Sequence, residues 1–210
     1  MREKKRILLH SCCGPCSTAV VERLLEDYEI TVFFSNSNIT DPAEYAKRKE
    51  TQLQFLETFC RDHGTIGRIS MIEGRYEPER FLQLCEGLDG EPEGGARCPV
   101  CFRMRMEEAA ERAKQDGYDL FGTTLSVSPH KNYAQICEIG EALEQETGIP
   151  FLRSDFKKKA GFQRSIELSK QYGLYRQNYC GCGFSKKEAE AFRAERKRRE
   201  ADSYKSEDEK

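Results

Sequence analysis

Cysteine is the residue type through which this chain is best equipped to do chemistry. Ten cysteines occur among 210 residues, and seven of them fall in three short clusters. The first cluster is Cys12, Cys13 and Cys16, the second is Cys98 and Cys101, and the third is Cys180 and Cys182. Thiols grouped in this way bind metals or undergo redox reactions. The sequence therefore predicts a metal or redox centre.

The second cluster has the CxxC spacing, which lets two thiolates from one turn bind the same metal. Zinc, iron–sulfur and thioredoxin-like sites all use this spacing. A predicted helix begins at about Pro99, and its N-terminus favours thiolates or a bound anionic cluster. The alternative, two cysteines without a function at a helix start, is disfavoured by the presence of the other clusters.

The first cluster contains two adjacent cysteines, whose side chains normally diverge. Both can bind one centre only where the backbone turns sharply, which Gly14-Pro15 permits. The four thiols that would satisfy a four-cysteine iron–sulfur site are Cys12, Cys13, Cys98 and Cys101. Two alternatives stay open at this point. The adjacent pair could be buried apolar residues, or one of them could join Cys16 in a mononuclear zinc site.

The third cluster differs in kind, because a disulfide between residues i and i+2 closes a small strained ring that is easily reduced. Gly181 gives the backbone the freedom that such a ring requires. Cys180 and Cys182 therefore suit a redox dithiol or further metal ligands better than a structural disulfide. The isolated Cys60, Cys85 and Cys137 are expected to fill the core.

The elements that must position these thiols alternate between strand and helix. Strands are predicted at 6–11, 30–35, about 67–72, 118–124 and 151–156, and helices at about 14–25, 42–62, 99–115, 128–146, 160–172 and 185–199. This alternation predicts an α/β fold, a Rossmann-like and mostly parallel sheet flanked by helices, with a helical C-terminal part. We expect one domain over residues 1–200 and a disordered charged tail over 201–210. In such sheets ligands bind at the carboxyl ends of the strands, where the first cluster lies.

Composition limits the classes of function. The net charge is only −2, so the molecule as a whole is no electrostatic binder of nucleic acid. No apolar run approaches the length of a membrane span, and the N-terminal apolar stretch is too short for a signal peptide. We therefore expect a cytoplasmic protein that does not contact membranes, in which thiols are kept reduced.

Positive charge is concentrated near the third cluster. Between residues 153 and 187, nine Lys or Arg residues accompany only two acidic ones, and six aromatic residues are interleaved. Cations beside stacking platforms suit RNA with unstacked bases. The alternative is a solvated basic surface above aromatic residues of the core.

At this point the sequence resembles the cobalamin-independent epoxyqueuosine reductases, the QueH family. The resemblance covers residues 6–185 and is most specific in the segments LLHSCCGPCS (8–17), EPEGGARCPVCFRMR (91–105), DLFGTTLSVSPHKN (119–132) and DFKKKAGFQRSIELSKQYGLYRQNYCGC (155–182). It implies a fold related to the adenine-nucleotide hydrolase superfamily. It also implies an enzyme that removes the epoxide oxygen of epoxyqueuosine at the wobble position of tRNA, giving queuosine and water.

The resemblance further implies a 4Fe–4S cluster and leaves room for an additional mononuclear iron. By motif, the cluster ligands would be Cys12, Cys13, Cys98 and Cys101, and the redox-active pair would be Cys180 with Cys182. Cys16 falls where the additional iron would be bound. The implied partners are the anticodon loop of the modified tRNA and an electron donor that the sequence does not identify.

Epoxide deoxygenation needs two electrons, two protons and an electrophile at the oxygen, which iron can supply. Tyr179, Asp155 and His10 are the candidate proton donors. The main alternative is a four-cysteine zinc protein that binds RNA without redox chemistry. A tRNA thiolation enzyme would need an ATP-binding loop after the first strand, and HSCCGPC occupies that place. A further alternative is a thioredoxin-like thiol exchanger.

Overall fold

Four parallel strands form the single sheet of this computed structural model, which describes residues 4–208. The strands are β1 (Lys5–Ser11), β2 (Tyr28–Phe34), β3 (Ile69–Glu73) and β4 (Leu120–Thr123), in the order β3-β2-β1-β4. Helices cover both faces, so the central β1 is buried from Ile7 to Ser11. The predicted fold class is confirmed.

Seven α-helices surround the sheet. They are α1 (Gly14–Leu24), α2 (Pro42–Asp62), α3 (Pro78–Leu84), α4 (Arg97–Gln115), α5 (Tyr133–Thr147), α6 (Gly161–Gln171) and α7 (Gly183–Asp208). A short 3₁₀ helix, Thr124–Val127, follows β4. No helix over residues 4–208 combines the length and the apolar character that crossing a bilayer requires.

The core has two layers, because successive side chains of a strand point to opposite faces of the sheet. Ile7 and Leu9 of β1 pack with residues of α1, α2 and α6 on one face. Leu8 packs with residues of α4 and α5, including Phe102 and Met106, on the other face. The two layers fix the carboxyl end of β1 between α1 and α4.

Three sequence predictions about the elements are corrected. The helix predicted from Ser128 begins at Tyr133, because the Asn132 side chain caps it by accepting the Ala134 N–H at 2.9 Å. The strand predicted over residues 151–156 is absent from the described sheet, since Phe151 makes only an isolated bridge to Phe121. Helix α3 was not predicted at all. The other predicted strands and helices are present with shifts of a few residues at their ends, except that α7 extends nine residues beyond its predicted end at Arg199.

The tail predicted to be disordered, residues 201–210, lies outside the part of the chain whose side chains are described, and its disorder stays a prediction. The division into one domain over 1–200 likewise stays a prediction.

Candidate metal centre and redox site

The first cluster lies in the turn between β1 and α1. Cys12 and Cys13 occupy the turn itself, and Cys16 lies in the first turn of α1. The sulfur atoms of Cys12, Cys13 and Cys16 lie within 4.8 Å of one another, and no other such group of possible metal ligands occurs among residues 4–199. The Cys12 and Cys13 sulfurs are 3.8 Å apart. Two thiolates bound at about 2.3 Å to one tetrahedral ion are about 3.8 Å apart, so this pair is spaced for a shared metal.

This turn depends on a close approach between α1 and α2. A Cβ atom placed on Gly14 would lie 2.7 Å from the carbonyl oxygen of Thr51, so any larger residue would push the helices apart. The hydroxyls of Ser11 and Ser17 both donate to Oε1 of Gln52, at 2.7 and 3.0 Å. The backbone on either side of the cysteines is therefore fixed to α2.

The pKa values of the three thiols are shifted in different directions. Hydrogen bonds from Cys13 and Cys16 hold the pKa of Cys12 well below its usual range. The same interaction raises the pKa of Cys13 to about 12, and the pKa of Cys16 is also raised, first by its hydrogen bond to Cys12.

The second cluster lies at the start of α4. The Cys98 sulfur accepts a hydrogen bond from the Gly94 N–H at 3.2 Å, and Cys101 is buried. Burial raises the pKa of Cys98 and raises that of Cys101 to about 12. Neither thiol belongs to the close group of Cys12, Cys13 and Cys16. The structure therefore contains two separate donor sets rather than one preformed four-thiol site.

The third cluster connects the other two. Cys182 packs with Cys101, Phe81 and Cys85 in one small buried group. Cys180 instead lines a cavity together with Cys12 and Cys16. Gly181 between them has a φ of +133°, a conformation that residues with a Cβ rarely adopt. The third cluster therefore reaches the first cluster through Cys180 and the second cluster through Cys182.

An arginine fork holds the segment that carries the third cluster. Arg48 of α2, which is 1% exposed, donates to the carbonyl oxygens of Cys180 and Tyr179 at 2.8 and 3.2 Å. Its Nε forms an ion pair with Glu44 at 2.7 Å, and Tyr175 also donates to Glu44. This geometry fixes the backbone around Cys180 against α2.

Gln177 of the same segment reaches the first cluster. Its Nε2 donates to the Cys13 sulfur at 3.0 Å, whereas its Oε1 has no hydrogen-bond partner among the described residues. The segment before Cys180 therefore closes over Cys13.

The cavity beside the cysteines has a volume of about 500 Å³, within the range of small-ligand sites. Cys12, Cys16 and Cys180 form part of its wall. The other lining residues are mostly polar, cationic or aromatic: Glu93, Val127, Ser128, His130, Lys131, Phe162, Ser165, Arg176, Gln177, Asn178 and Tyr179. The thiols are thus accessible to a polar ligand of nucleoside size.

Two cations near the thiols were not identified from the sequence. Arg105 lies one helical turn after Cys101, and its Nη1 is 3.8 Å from the Cys101 sulfur. Lys131 lines the cavity. Burial lowers the pKa of Lys131, but the neighbouring Cys180, Cys12 and Cys16 outweigh that effect and raise it. The spacing of four residues between Cys101 and Arg105 was the available sequence signal, because it places both on one helix face.

Of the three candidate proton donors, Tyr179 lines the cavity. Asp155 makes an ion pair with Lys157 instead. His10 is fully buried, and its ring nitrogens bond to Thr123 Oγ1 and the Ser35 carbonyl, at 2.9 and 3.1 Å. Burial and the nearby Arg105 lower the pKa of His10 to about 3, so its ring is neutral at neutral pH. His10 therefore packs as a buried strand residue.

Much of the basic segment is neutralised within the protein. Arg153 pairs with Glu141 and Glu144, and Arg164 pairs with Glu22 and Glu167. Phe156 and Tyr172 are buried in the core. The alternative of a solvated surface above core aromatics therefore describes much of this segment, apart from the part that lines the cavity.

Comparisons with known proteins agree with these features. The family described as epoxyqueuosine reductase QueH matches residues 7–188. The chain belongs to the QueH family. The QueH proteins of Staphylococcus epidermidis and Streptococcus pyogenes are 43% and 39% identical to it, over 87% and 90% of this chain and 77% and 78% of theirs. The QueH protein of Thermotoga maritima is 32% identical over 85% of this chain and 89% of its own.

Among solved structures, one described as a predicted subunit of a tRNA methyltransferase from Methanocaldococcus jannaschii aligns with a TM-score of 0.45. It is 14% identical, over 78% of this chain and 74% of that chain. A likeness of this size supports no conclusion about the QueH chain. The resemblance found in the sequence is confirmed by the family match, which contains all three cysteine clusters.

Proposed function

We propose that this protein is an epoxyqueuosine reductase that removes the epoxide oxygen from epoxyqueuosine at the wobble position of tRNA, giving queuosine and water. The observation that carries the proposal is the position of the third cluster, because Cys180 lines one cavity with Cys12 and Cys16 while Cys182 packs with Cys101. Membership of the QueH family supplies the substrate, since the relatives are named for this reaction. Because tRNA is modified in the cytoplasm, the proposal places the protein there.

The thiols of the first and second clusters are the ligand type that an iron–sulfur cofactor uses. Four thiols, Cys12, Cys13, Cys98 and Cys101, would hold a 4Fe–4S cluster, and the closeness of Cys16 to Cys12 and Cys13 leaves a place for an additional iron. The buried Arg105 has an Nε without a partner among the described residues, and its Nη1 lies 3.8 Å from the Cys101 sulfur, as expected beside an anionic group. When bound, iron supplies a Lewis acid and one-electron transfer.

The two thiols of the third cluster are suited to supply the electrons and protons of the reaction. Oxidation of the Cys180 and Cys182 thiols to a disulfide releases two electrons and two protons. Epoxide deoxygenation consumes the same numbers and forms one water, so the reaction balances. The pair then needs an external reductant to open the disulfide. Gly181 permits the backbone change that this cycle requires.

The cavity wall suits a nucleotide withdrawn from its stack. Phe162 and Tyr179 offer aromatic surface, and Lys131 and Arg176 offer positive charge to phosphate. Enzymes that act on a base take it out of the stack to reach it. We propose Tyr179 as the proton donor to the departing oxygen, since it lines the cavity.

The test begins with anaerobic purification and the quantitation of iron, acid-labile sulfide and zinc. The protein is then incubated with epoxyqueuosine-containing tRNA and a chemical reductant, and the tRNA is digested for mass spectrometry. We expect iron with sulfide and a nucleoside lighter by one oxygen atom. Zinc without sulfide, together with tRNA binding and no conversion, would instead favour the four-cysteine zinc RNA-binding protein.

A further inference from the structure

Arg105 and Arg48 are the two cations beside the cysteines that are only 1% exposed, and Arg105 is the one whose side chain contacts a cysteine sulfur. It lies on α4, it is 1% exposed, and it extends between the second cluster and the end of β2. Its Nη2 donates to Asn36 Oδ1 at 2.7 Å. Asn36 in turn donates to the carbonyl oxygen of Ser11 at 2.9 Å, directly before Cys12. Arg105 therefore connects the second cluster to the backbone that carries the first.

No carboxylate pairs with Arg105 in the described part of the chain. Its Nη1 faces the Cys101 sulfur, and its Nε has no hydrogen-bond partner among the described residues. The two other buried arginines, Arg48 and Arg97, each pair with a glutamate. Arg105 is thus the exception among the buried arginines of residues 4–199.

A buried guanidinium cannot lose its proton, and an uncompensated buried charge is strongly destabilising. Its counter-charge must therefore come from the sulfur atoms that surround it. Neutral thiols supply little, whereas thiolates bound in a metal centre supply a fixed negative charge. The position of Arg105 is accordingly explained by an anionic centre held by the cysteines.

We propose that Arg105 is a positioning residue that raises the reduction potential of this centre by stabilising its reduced, more negative form. The inference rests on the proposed iron–sulfur function and deepens it. Each electron that enters the centre increases its negative charge, and a fixed buried cation lowers the energy of that state more than the energy of the oxidised state. Arg105 also favours retention of the centre, since it offsets the charge of the thiolates.

The test is a spectroelectrochemical titration of the anaerobically purified protein. In Arg105→Met, we expect the midpoint potential to become more negative by at least about 59 mV, which is a tenfold change in a one-electron reduction constant. Arg105→Lys keeps the charge and is expected to remain closer to the wild type. Arg112→Met is the matched control on the same helix, because Arg112 is exposed and pairs with Asp116. It should leave the potential unchanged.

A second variant keeps the test decisive if Arg105→Met does not retain iron. Asn36→Asp leaves the guanidinium in place but puts a carboxylate beside it, and it should also shift the potential to a more negative value. Equal potentials in the wild type and in the variants that retain iron would overturn the inference while leaving the proposed function intact. A wild-type protein without iron and sulfide would overturn both.

Discussion

Two regions of this protein differ in whether their cations are paired with carboxylates. Beside the cysteines, Arg105 contacts the Cys101 sulfur, Lys131 lines the cavity with Cys12, and neither has a carboxylate ion pair among the described residues. In the surface segment around α6, Arg153 and Arg164 each pair with two glutamates. The surface cations stabilise the fold weakly, because water screens them. Arg105 is only 1% exposed and is expensive to bury, so its position indicates a function.

This difference shows why the number of Lys and Arg residues in a segment did not predict which cations lie beside the cysteines. The basic segment has many cations, but several of them are already neutralised by the protein itself. Arg105 and Lys131 lie outside that segment, on α4 and two residues before α5. Four predictions follow from the contrast, beginning with the one of largest effect.

Removal of one thiol of the second cluster should abolish the centre. In Cys98→Ser, we expect loss of bound iron, of the brown colour and of activity together, because an iron–sulfur cluster depends on each thiolate. The measurements are metal analysis, the visible spectrum and conversion of modified tRNA. Cys137→Ser, a lone cysteine on α5, serves as the control and should retain all three. A coloured and active Cys98→Ser protein would contradict the ligand assignment.

Replacement of Cys180 should separate the redox pair from the centre. We expect Cys180→Ser to retain iron and colour but to stop multiple turnovers, since the disulfide can no longer form. Product formed per enzyme is measured over time with excess modified tRNA. Normal turnover with a chemical reductant would show that the dithiol is unnecessary under those conditions.

Removal of the buried fork of Arg48 should destabilise the fold. Arg48→Met leaves Glu44, which is 10% exposed, without its cation and frees the carbonyl oxygens of Tyr179 and Cys180. We expect the free energy of unfolding to fall by about 3 kcal/mol, the usual cost of an uncompensated buried charge. Urea denaturation measures it. A change below about 1 kcal/mol would mean that the fork is not a structural clamp.

The smallest loss of stability is expected for a substitution of a surface arginine. Arg164→Met removes ion pairs with Glu22 and Glu167, but all three side chains are at least 32% exposed. We expect less than about 1 kcal/mol of lost stability, and less at high salt. The same urea titration gives the value. A loss as large as that of Arg48→Met would remove the distinction between the two regions.

Much of the fold could be read from local patterns. Asp41-Pro42 predicted the start of α2, and the Asp41 carboxylate accepts the N–H groups of Ala43 and Glu44. The strand predicted over residues 151–156 failed because short apolar runs do not show whether a partner strand is within reach. Helix α3 was missed because its seven residues are too few for a periodic signal.

The sequence by itself determined the family, the parallel α/β fold and the three sets of thiols, because motif spacing and the alternation of elements are local properties of the chain. Only the tertiary structure decided which distant residues meet there. Arg105, Lys131 and Gln177 reach the cysteines from separate elements, and no local pattern records such a contact. The reason is physical: the charge around a buried site is set by residues that become neighbours only when the sheet and its helices pack.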